Sequence, residues 1–330
     1  MAVLEIRGLT RHFEVRPSLL GRLAGSGQGH VIKAVEDVSF AIAEGEILGL
    51  AGESGCGKST ICLLITRLLE PTAGEILFKG RPIGAFDAGQ MNDFRRRVQI
   101  IFQDPYESLN PRFTVFDLIA EGPRALGLWD AGETAERVPA MLARVGLKPR
   151  DYAERYPHEM SGGERQRVGI AAALVVEPEL VVADEPLSML DVSIRAGILD
   201  LLRDLSARLG FSCLYVSHDL SILSNIAHRL MIMYLGTVAE IGPTASVVAR
   251  PRHPYARALV EAVPAPDPRY SRPVPKIKGD IARPIDPPPG CRFWARCPHG
   301  IAACRRDPMP VLATVGPDHE AACLRLAELR

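Results

Sequence analysis

Alternating apolar and polar residues along Val35–Ile42 are typical of a β-strand with one buried face. Leu180–Ala183 is instead a short, continuously apolar run, as in parallel strands that are buried on both faces. Residues Val192–Leu209 carry an apolar residue at every third or fourth position, which predicts a helix that Gly210 ends. Phe211–Val216 is predicted as the strand that follows. Strands that alternate with helices in this way predict an α/β fold with a mostly parallel sheet.

The rest of the chain carries weaker patterns. Val115–Tyr156 has helical spacing and predicts a helical insertion between the two halves of the sheet. Arg229–Ile241 resembles two strands hinged at Gly236. The remaining predictions are short strands at residues 3–6 and 12–15 separated by Arg7–Thr10, an irregular Gly-rich insertion at Arg16–Gly29, strands at Glu46–Leu50 and Gly74–Phe78, helices at Thr60–Leu69 and Tyr255–Val263, and an extended proline-rich linker at Asp280–Pro289. Val98–Phe102 is an apolar run that ends at Gln103.

Length and charge narrow the class of protein. The 330 residues suffice for two domains, and Lys plus Arg equals Asp plus Glu at 39 each. No overall electrostatic field therefore attracts nucleic acid or an anionic membrane surface. The N-terminus has no signal-peptide pattern, and no apolar run is long enough to span a bilayer. We therefore expect a cytoplasmic protein with no nucleic-acid partner.

The stretch Gly52–Ser59 fits the phosphate-binding pattern G-x-x-x-x-G-K-[ST], with a predicted strand before it and a predicted helix after it. Glycines let the backbone wrap around phosphate oxygens, so that N–H groups and the N-terminus of the helix point at the anion. Lys58 is predicted to neutralise the β- and γ-phosphates, and Ser59 to offer its hydroxyl to Mg²⁺. The stretch therefore predicts a nucleotide site.

Further polar motifs follow the predicted strands. Ser161 is a good helix cap with Glu164 three positions later, so Ser161–Glu164 predicts a Gly-rich helix start and a second anion site. Asp184 and Glu185 directly follow the apolar run Leu180–Ala183, where carboxylates face a bound nucleotide. His218 lies just beyond the next predicted strand.

These motifs, in this order, resemble the ATP-binding subunit of an ABC transporter, and the resemblance covers residues 1–245. It implies a P-loop ABC ATPase fold with a RecA-like parallel sheet core, an antiparallel β subdomain and a helical insertion at about 113–175. Residues 246–330 then form a small accessory extension, where more than half of the 27 prolines lie.

The resemblance implies a role for each motif. Asp184 would hold Mg²⁺ through water, and Glu185 would be the general base for the attacking water. His218 would contact the γ-phosphate, and Gln103 would sense Mg²⁺ and the membrane subunit. Phosphoryl transfer needs charge neutralisation and a positioned water of this kind more than covalent chemistry. The residues assigned to the nucleotide or its Mg²⁺ are Phe13, Gly52, Glu53, Ser54, Gly55, Cys56, Gly57, Lys58, Ser59, Thr60, Gln103, Ser161, Gly162, Gly163, Glu164 and Asp184.

Ser161–Glu164 resembles the ABC signature, which in this family closes over the ATP held by the partner subunit. The resemblance therefore implies a dimer of nucleotide domains. Met160 stands where leucine is commoner, and Glu164 where glutamine is commoner. Ser188–Asp191 lies where the family carries its D-loop, and Met189 there replaces the usual alanine. Phe13 is expected to stack on adenine, with a core phenylalanine on an edge strand as the alternative.

Phe102–Arg112 and Arg252–Leu259 resemble motifs of the oligopeptide, dipeptide and nickel importer ATPases, as does the insertion at Arg16–Gly29. The first motif lies where such proteins grip the coupling helix of their permease. The resemblance implies ATP hydrolysis that drives import of peptides or a related small solute at the cytoplasmic face of the inner (plasma) membrane. The implied partners are a second ABC ATPase, usually a paralogue, two transmembrane permease subunits and, indirectly, an extracytoplasmic substrate-binding protein.

A cluster of cysteines occupies the last 40 residues, and four thiolates can hold an iron–sulfur cluster or a tetrahedral Zn²⁺. Its members are Cys291, Cys297, Cys304 and Cys323. No C-x-x-C pair is present, which disfavours a zinc ribbon, and several peptide-importer ATPases carry a 4Fe–4S cluster in a similar sequence. We expect a 4Fe–4S cluster, with zinc and a metal-free or disulfide-bonded state as alternatives. The nearby His299 and His319 are expected to face solvent.

Other functions remain open at this point. An ABC ATPase without a membrane partner would act on the ribosome or DNA, but such proteins usually carry tandem domains or long coiled coils. The balanced charge also weighs against nucleic acid. A P-loop kinase would leave Ser161–Glu164 and His218 unexplained.

Overall fold

The computed structural model describes residues 1–15, 29–263, 277–279, 284–306 and 308–329. The insertion expected at Arg16–Gly29 lies outside the described residues up to residue 28, and the expected linker Asp280–Pro289 is described only from Pro284. The chain forms two compact units, each drawn from several stretches. The first contains Met1–Leu4, Ala41–Ile47 and Leu77–Val216, and the second contains Glu5–Phe40, Leu48–Ile76 and Ser217–Arg330.

The bounds of the regular elements are as follows. The strands are β1 (Ala2–Val15), β2 (His30–Ala43), β3 (Ile47–Ala51), β4 (Ala73–Phe78), β5 (Arg81–Pro82), β6 (Val98–Ile101), β7 (Leu180–Asp184), β8 (Ser212–Val216), β9 (Arg229–Tyr234), β10 (Thr237–Pro243), β11 (Ala313–Gly316) and β12 (His319–Ala321). The α-helices of the described residues are α1 (Lys58–Ile65), α2 (Ala88–Arg97), α3 (Pro105–Ser108), α4 (Val115–Ala125), α5 (Ala131–Arg144), α6 (Pro149–Tyr152), α7 (Gly162–Leu174), α8 (Val192–Leu209), α9 (Leu220–Ile226), α10 (Thr244–Ala249) and α11 (Pro254–Ala262). In the described part of the chain, none of these helices combines the length and the apolar character that crossing a membrane requires.

The first unit contains three parallel strands, with β7 between β6 and β8. Leu180 lies opposite Val98 on one side and opposite Ser212 on the other. Every residue of β7 and β8 is buried, as expected of parallel strands with both faces covered. The prediction of a central strand from the continuous apolar run is therefore confirmed.

The predicted helical insertion folds as three separate helices, α4, α5 and α6. The hydroxyl of Thr114 accepts the N–H of Asp117 at 3.2 Å and caps α4. The carboxylate of Asp130 accepts the N–H of Glu133 at 2.8 Å and caps α5. Each cap satisfies a donor that has no partner inside its helix, so each helix begins at a residue with a short polar side chain.

In the second unit, β3 pairs in parallel with β9, and β10, β12 and β11 follow in that order as antiparallel neighbours. A second sheet places β1 between β2 and β4. The predicted break at Arg7–Thr10 is wrong, because β1 continues through it. The N–H of Gly8 donates to Ser39 Oγ at 2.9 Å, and the N–H of Asp37 donates to Thr10 Oγ1 at 3.1 Å. Side-chain hydrogen bonds thus keep this polar stretch within the sheet.

A two-residue turn at Leu235–Gly236 joins β9 to β10, and the predicted hinge is confirmed. Both residues have positive φ, 45° and 84°, which suits the right-handed twist of a hairpin. A Cβ on Gly236 would lie 2.6 Å from the carbonyl oxygen of Lys33, so only glycine fits there. The N–H of Gly236 donates to the carbonyl of Cys56 at 2.8 Å, which ties the hairpin to the stretch Gly52–Ser59.

A buried histidine, His253, caps the start of helix α11. The Nδ1 atom of His253 accepts the N–H of Tyr255 at 3.0 Å, so the cap requires a neutral ring. Burial lowers the pKa of His253 to about 4. A pKa depressed on folding means that stability present above pH 6.5 is lost as the pH falls towards 4. Burial raises the pKa of Glu240, which accepts the N–H of His253 at 2.6 Å, and this offsets part of the loss.

We expect His253→Asn to flatten this pH dependence, because the asparagine oxygen can replace Nδ1 as the helix cap without taking up a proton. The wild-type free energy of unfolding should fall by up to about 3 kcal/mol more than that of the variant between pH 6.5 and 4. Urea unfolding at a series of pH values measures both slopes. Parallel slopes would contradict the role given to His253.

Candidate functional site

The strand β3, buried along its whole length, leads into a loop that ends where helix α1 begins at Lys58. Gly57 immediately precedes the helix with a φ of 106°, and a Cβ there would lie 2.2 Å from the carbonyl oxygen of Ala34. The loop is therefore wound too tightly against β2 for any other residue. The helix starts two residues before the predicted Thr60 and ends at Ile65 rather than Leu69. Its first turn thus lies inside the motif, where helix N–H groups bind anions.

The side chain of Lys58 closes over its own loop. It is 5% exposed, and Nζ donates to the carbonyl of Gly52 at 2.9 Å and to that of Glu53 at 3.2 Å. These carbonyls hold a cation beside the backbone donors of the loop and of the helix start. Such a combination suits the phosphates of a nucleotide.

Two residues beyond the predicted site contact this loop. The N–H of Glu53 donates to the hydroxyl of Tyr255 at 2.9 Å, and the guanidinium of Arg296 donates to both carboxylate oxygens of Glu53. Sequence reasoning missed both contacts. Tyr255 lay in a stretch interpreted as a subfamily motif, and Arg296 lay among cysteines interpreted as metal ligands. Local spacing gives no signal for either contact, because the partners are 202 and 243 residues apart in the sequence.

His218 and Phe13 also belong to the second unit. His218 is exposed and follows Ser217, whose N–H donates to the carbonyl of Leu50 at 3.1 Å. Since Leu50 lies two residues before Gly52, this bond holds the backbone next to His218 close to the start of the phosphate loop, Gly52–Thr60. Phe13 is half-buried on β1 with the guanidinium of Arg11 4.6 Å from its ring centroid. Stacking of Phe13 on adenine stays a prediction.

In the first unit, Gln103, Asp184 and Glu185 lie at one edge of the parallel strands. Ile101 pairs with Ala183, so Gln103 follows the carboxyl end of β6 and Asp184 is the last residue of the neighbouring β7. Asp184 is 8% exposed. Glu185 has a φ of 45°, and its N–H donates to the carbonyl of Val216 at 3.1 Å. A non-glycine residue in this conformation is strained, and such strain is often found where a side chain must be aimed.

Helix α7 begins with the predicted capping arrangement. The N–H of Glu164 donates to Ser161 Oγ at 3.4 Å, and the N–H of Ser161 donates to Glu164 Oε2 at 2.7 Å. The hydroxyl of Tyr152 donates to the other oxygen of Glu164 at 2.5 Å. This bond, together with those from Ser161, lowers the pKa of Glu164. The glutamate where the family more often has glutamine is therefore a charged cap that orders the helix start.

The predicted site residues are thus distributed over both units. The second unit holds Phe13, the phosphate loop and His218, and the first holds Gln103, Asp184, Glu185 and Ser161–Glu164. Within each unit, the local geometry agrees with a nucleotide site. Their joint action in one site remains a proposal.

The first unit also contains an open cavity of about 290 Å³ beside helices α3, α4 and α7. Phe102, Pro105, Leu109 and Leu118 contribute to its lining. The Phe102 side chain is 43% exposed. The lining is mixed, because the polar side chains of Gln99, Ser108, Glu121 and Gln166 also contribute to it.

The expectation of a 4Fe–4S cluster is wrong. In the part of the chain that the structure describes, which includes all four C-terminal cysteines, no three or more His, Cys, Asp or Glu side chains are arranged to hold a metal ion. Burial raises the pKa of Cys291 to about 12, and burial raises the pKa of Cys297 and of Cys323 as well. The four cysteines are free, without disulfides.

The expectation that His319 faces solvent is also wrong. Its side chain is 7% exposed, and Nε2 lies 2.7 Å from Oε1 of the fully buried Glu240. The same carboxylate accepts the N–H groups of Arg252 and His253. His319 on β12 is thus part of a buried polar network, whereas His299 is exposed as expected.

The family models and the sequence relatives that match this chain indicate the same family. The model of the ABC transporter family matches residues 35–188, and that of the oligopeptide/dipeptide transporter C-terminal region matches residues 239–304. A putative peptide import ATP-binding protein of Brucella ovis is 46% identical over 323 residues, which cover 98% of each chain. An oligopeptide transport ATP-binding protein of Bacillus subtilis is 42% identical over 97% of this chain and 96% of its own.

Two solved structures resemble the fold. One is a dimeric ATP-binding cassette in a post-hydrolysis state with ADP and phosphate, with a TM-score of 0.63 and 26% identity over 73% of this chain and 98% of that one. The other is the cbiO1 protein of Clostridium perfringens, part of an ABC transporter complex, with a TM-score of 0.62 and 27% identity over 76% of this chain and 91% of that one. Both likenesses cover about three quarters of this chain.

Proposed function

This chain belongs to the ABC transporter family of ATP-binding proteins, and we propose that it hydrolyses ATP to energise the import of oligopeptides, dipeptides or a related small solute. One observation carries the proposal. The buried Lys58 closes a glycine-dependent loop at the start of α1, in a chain that aligns over almost its whole length with peptide import ATP-binding proteins. Together these features support a nucleotide-driven import subunit.

The phosphate loop has the donors that a triphosphate requires. Its residues Gly52–Thr60 combine backbone N–H groups at a helix start with the ammonium of Lys58, and the tight passage at Gly57 lets the backbone approach an anion closely. Ser59 is exposed at the first turn and can offer its hydroxyl to Mg²⁺. The ion would neutralise charge on the phosphates. Ser59, Gln103 and Asp184 are the residues proposed to hold it.

Glu185 is proposed as the general base and His218 as the residue that contacts the γ-phosphate. The carboxylate of Glu185 accepts a proton from the attacking water, and its strained backbone at the edge of β7 aims the side chain. His218 supplies a polar group beside the start of the phosphate loop. Hydrolysis then depends on positioning and charge rather than on a covalent intermediate.

We infer a dimer of nucleotide domains, with Ser161–Glu164 of one subunit facing the phosphate loop of the other. The capped and ordered start of α7 supports this role, because helix starts bind anions. One of the structures similar to this chain is itself a dimer bound to ADP and phosphate. We propose a paralogous ATPase as the partner.

The cavity beside Phe102 is proposed to receive the coupling helix of a transmembrane permease. Phe102, an exposed apolar residue of its lining, lies between the end of β6 and Gln103, so nucleotide contact and permease contact are adjacent along the chain. Two transmembrane permease subunits, with this chain at the cytoplasmic face of the membrane, and a substrate-binding protein outside it would complete the importer.

Co-purification from membranes tests this assignment. We expect the tagged chain to co-purify with its permease subunits. The Phe102→Asp variant should lose them and still bind ATP, because docking would bury the new charge. Leu68→Asp is the matched control, since Leu68 is 61% exposed and lies in the other unit. Co-sedimentation of the wild type with ribosomes or DNA, and with no membrane subunit, would contradict the importer function.

A further inference from the structure

Arg296 holds the second residue of the phosphate loop from outside the ATP-binding motifs. Its Nη1 donates to Glu53 Oε2 at 2.7 Å, and its Nη2 donates to Oε1 at 3.1 Å. The arginine side chain is 9% exposed and the glutamate side chain 20%, so little water surrounds the pair. The two hydrogen bonds fix the orientation of the carboxylate, and the guanidinium compensates its negative charge.

The backbone of Glu53 is held in addition to its side chain. Its N–H donates to the hydroxyl of Tyr255 at 2.9 Å, and its carbonyl accepts Lys58 Nζ at 3.2 Å. Two of these three partners, Tyr255 and Arg296, lie in the C-terminal extension. The conformation of the loop at Glu53 therefore depends on a region that carries no ATP-binding motif.

Aromatic packing holds Arg296 in position. Phe293 is 2% exposed and meets the ring of Tyr234 edge-on with centroids 5.2 Å apart. It also lies 5.4 Å from the ring of Tyr255. The hydroxyl of Tyr234 accepts Arg296 Nη1 at 3.4 Å. Packing and hydrogen bonding in this aromatic cluster thus hold the guanidinium of Arg296 beside Glu53.

Arg292, in the same segment as Arg296, contacts the hairpin turn that is hydrogen-bonded to the phosphate loop. Its Nη1 donates to the carbonyl of Leu235 at 2.5 Å, and its Nη2 donates to Glu36 Oε2 at 3.0 Å. Gly236, which follows Leu235 in the turn, donates its N–H to the carbonyl of Cys56. Two arginines of one short segment therefore act on the phosphate loop, directly at Glu53 and through the hairpin turn at Cys56.

Electrostatics indicate what the pair with Glu53 does. A carboxylate inside a phosphate-binding loop repels an incoming anion, and partial burial strengthens that repulsion by limiting screening. The guanidinium of Arg296 cancels this charge at hydrogen-bond distance. Without Arg296, the loop would present a negative charge to the nucleotide.

We propose that Arg296 is a positioning residue for nucleotide binding, which pairs the Glu53 carboxylate and thereby makes the affinity for ATP depend on the C-terminal segment 284–306. The inference rests on the proposed function, because it requires that ATP occupies this loop. Arg296 acts through Glu53 and does not contact the reacting atoms.

The test uses the full chain with Mg²⁺ and a fluorescent ATP analogue, followed by steady-state hydrolysis. Arg296→Met should raise the Kd of the analogue and the KM for ATP by roughly five- to tenfold, with kcat within about twofold of wild type. Glu53→Gln added to Arg296→Met should restore the Kd to within about twofold of wild type, because the uncompensated charge is gone. If Arg296 only stabilised the fold, removing the Glu53 carboxylate as well would not restore the Kd.

Arg305→Met is the matched control. Arg305 lies in the same segment, is exposed and stacks on Trp294 at 5.3 Å, so its loss should leave the Kd unchanged. Unchanged affinity in Arg296→Met, or a double variant no tighter than the single one, would overturn the inference. If circular dichroism shows that Arg296→Met is unfolded, Arg296→Lys and Arg296→Gln replace it. Tighter binding by the lysine variant supports the proposal, and equal binding overturns it. A wild type that binds no nucleotide would instead refute the proposed function itself.

Discussion

Glu185→Gln is expected to lower ATP hydrolysis by roughly a hundred- to thousandfold while ATP affinity stays within about twofold of wild type. Glutamine has the shape of glutamate but cannot accept the proton of the attacking water. The backbone of Glu185, with its φ of 45° and its hydrogen bond to Val216, is unaffected by the exchange. The phosphate loop lies elsewhere in the sequence and keeps its donors. The variant should therefore bind ATP and fail to hydrolyse it.

Phosphate release under single-turnover conditions, together with binding of a fluorescent ATP analogue, measures both quantities. Glu177→Gln is the matched control, because Glu177 is exposed and also has a positive φ, 52°. It should hydrolyse ATP at the wild-type rate. A turnover of Glu185→Gln close to that of the control would assign the general base to another residue.

Local patterns predicted the regular elements of the fold well. Helix α8 begins and ends at the predicted Val192 and Leu209, because its apolar spacing and Gly210 are both local signals. The hairpin at Gly236 and the capped start of α7 were predicted for the same reason. The predicted break at Arg7–Thr10 failed, because the side chains that keep β1 in its sheet belong to distant Ser39 and to Thr10 itself.

The nucleotide motifs could be read from sequence because each combines several residues at fixed spacing. The Arg296–Glu53 pair could not, since its members are separated by 243 residues and neither stretch carries a periodic pattern. The buried pair of His319 and Glu240 has the same long-range character. Contacts of this kind follow from the packing of the C-terminal extension, on which local spacing carries no information.

The cysteine prediction failed for a different reason. Four cysteines near one another in sequence indicate a possible ligand set, but metal binding requires that the sulfurs converge in a defined geometry and lose their protons. In the described residues the sulfurs do not form such a group. The same segment instead contributes Arg292 and Arg296 to the surroundings of the phosphate loop.

Gly57→Ala is expected to abolish ATP binding and to lower the free energy of unfolding by on the order of 3 kcal/mol. The new Cβ would lie 2.2 Å from the carbonyl oxygen of Ala34, and a φ of 106° is unsuited to alanine. Relief of this clash must move either β2 or the start of α1. Movement of the helix start displaces Lys58 and the N–H groups that follow it, so the anion site is lost with the local packing.

Gly55→Ala introduces left-handed backbone strain without the steric clash of Gly57→Ala, so it measures the two effects separately. Gly55 also has a positive φ, 76°, but a Cβ there has no neighbour within 4 Å. It should lose only about 1 kcal/mol of stability and retain measurable ATP binding, because alanine in a left-handed conformation costs about that much. Urea unfolding and binding of the fluorescent analogue compare the two variants. Equal losses of stability and affinity in both would mean that left-handed backbone strain, rather than the close passage of Gly57 against Ala34, determines the shape of the loop.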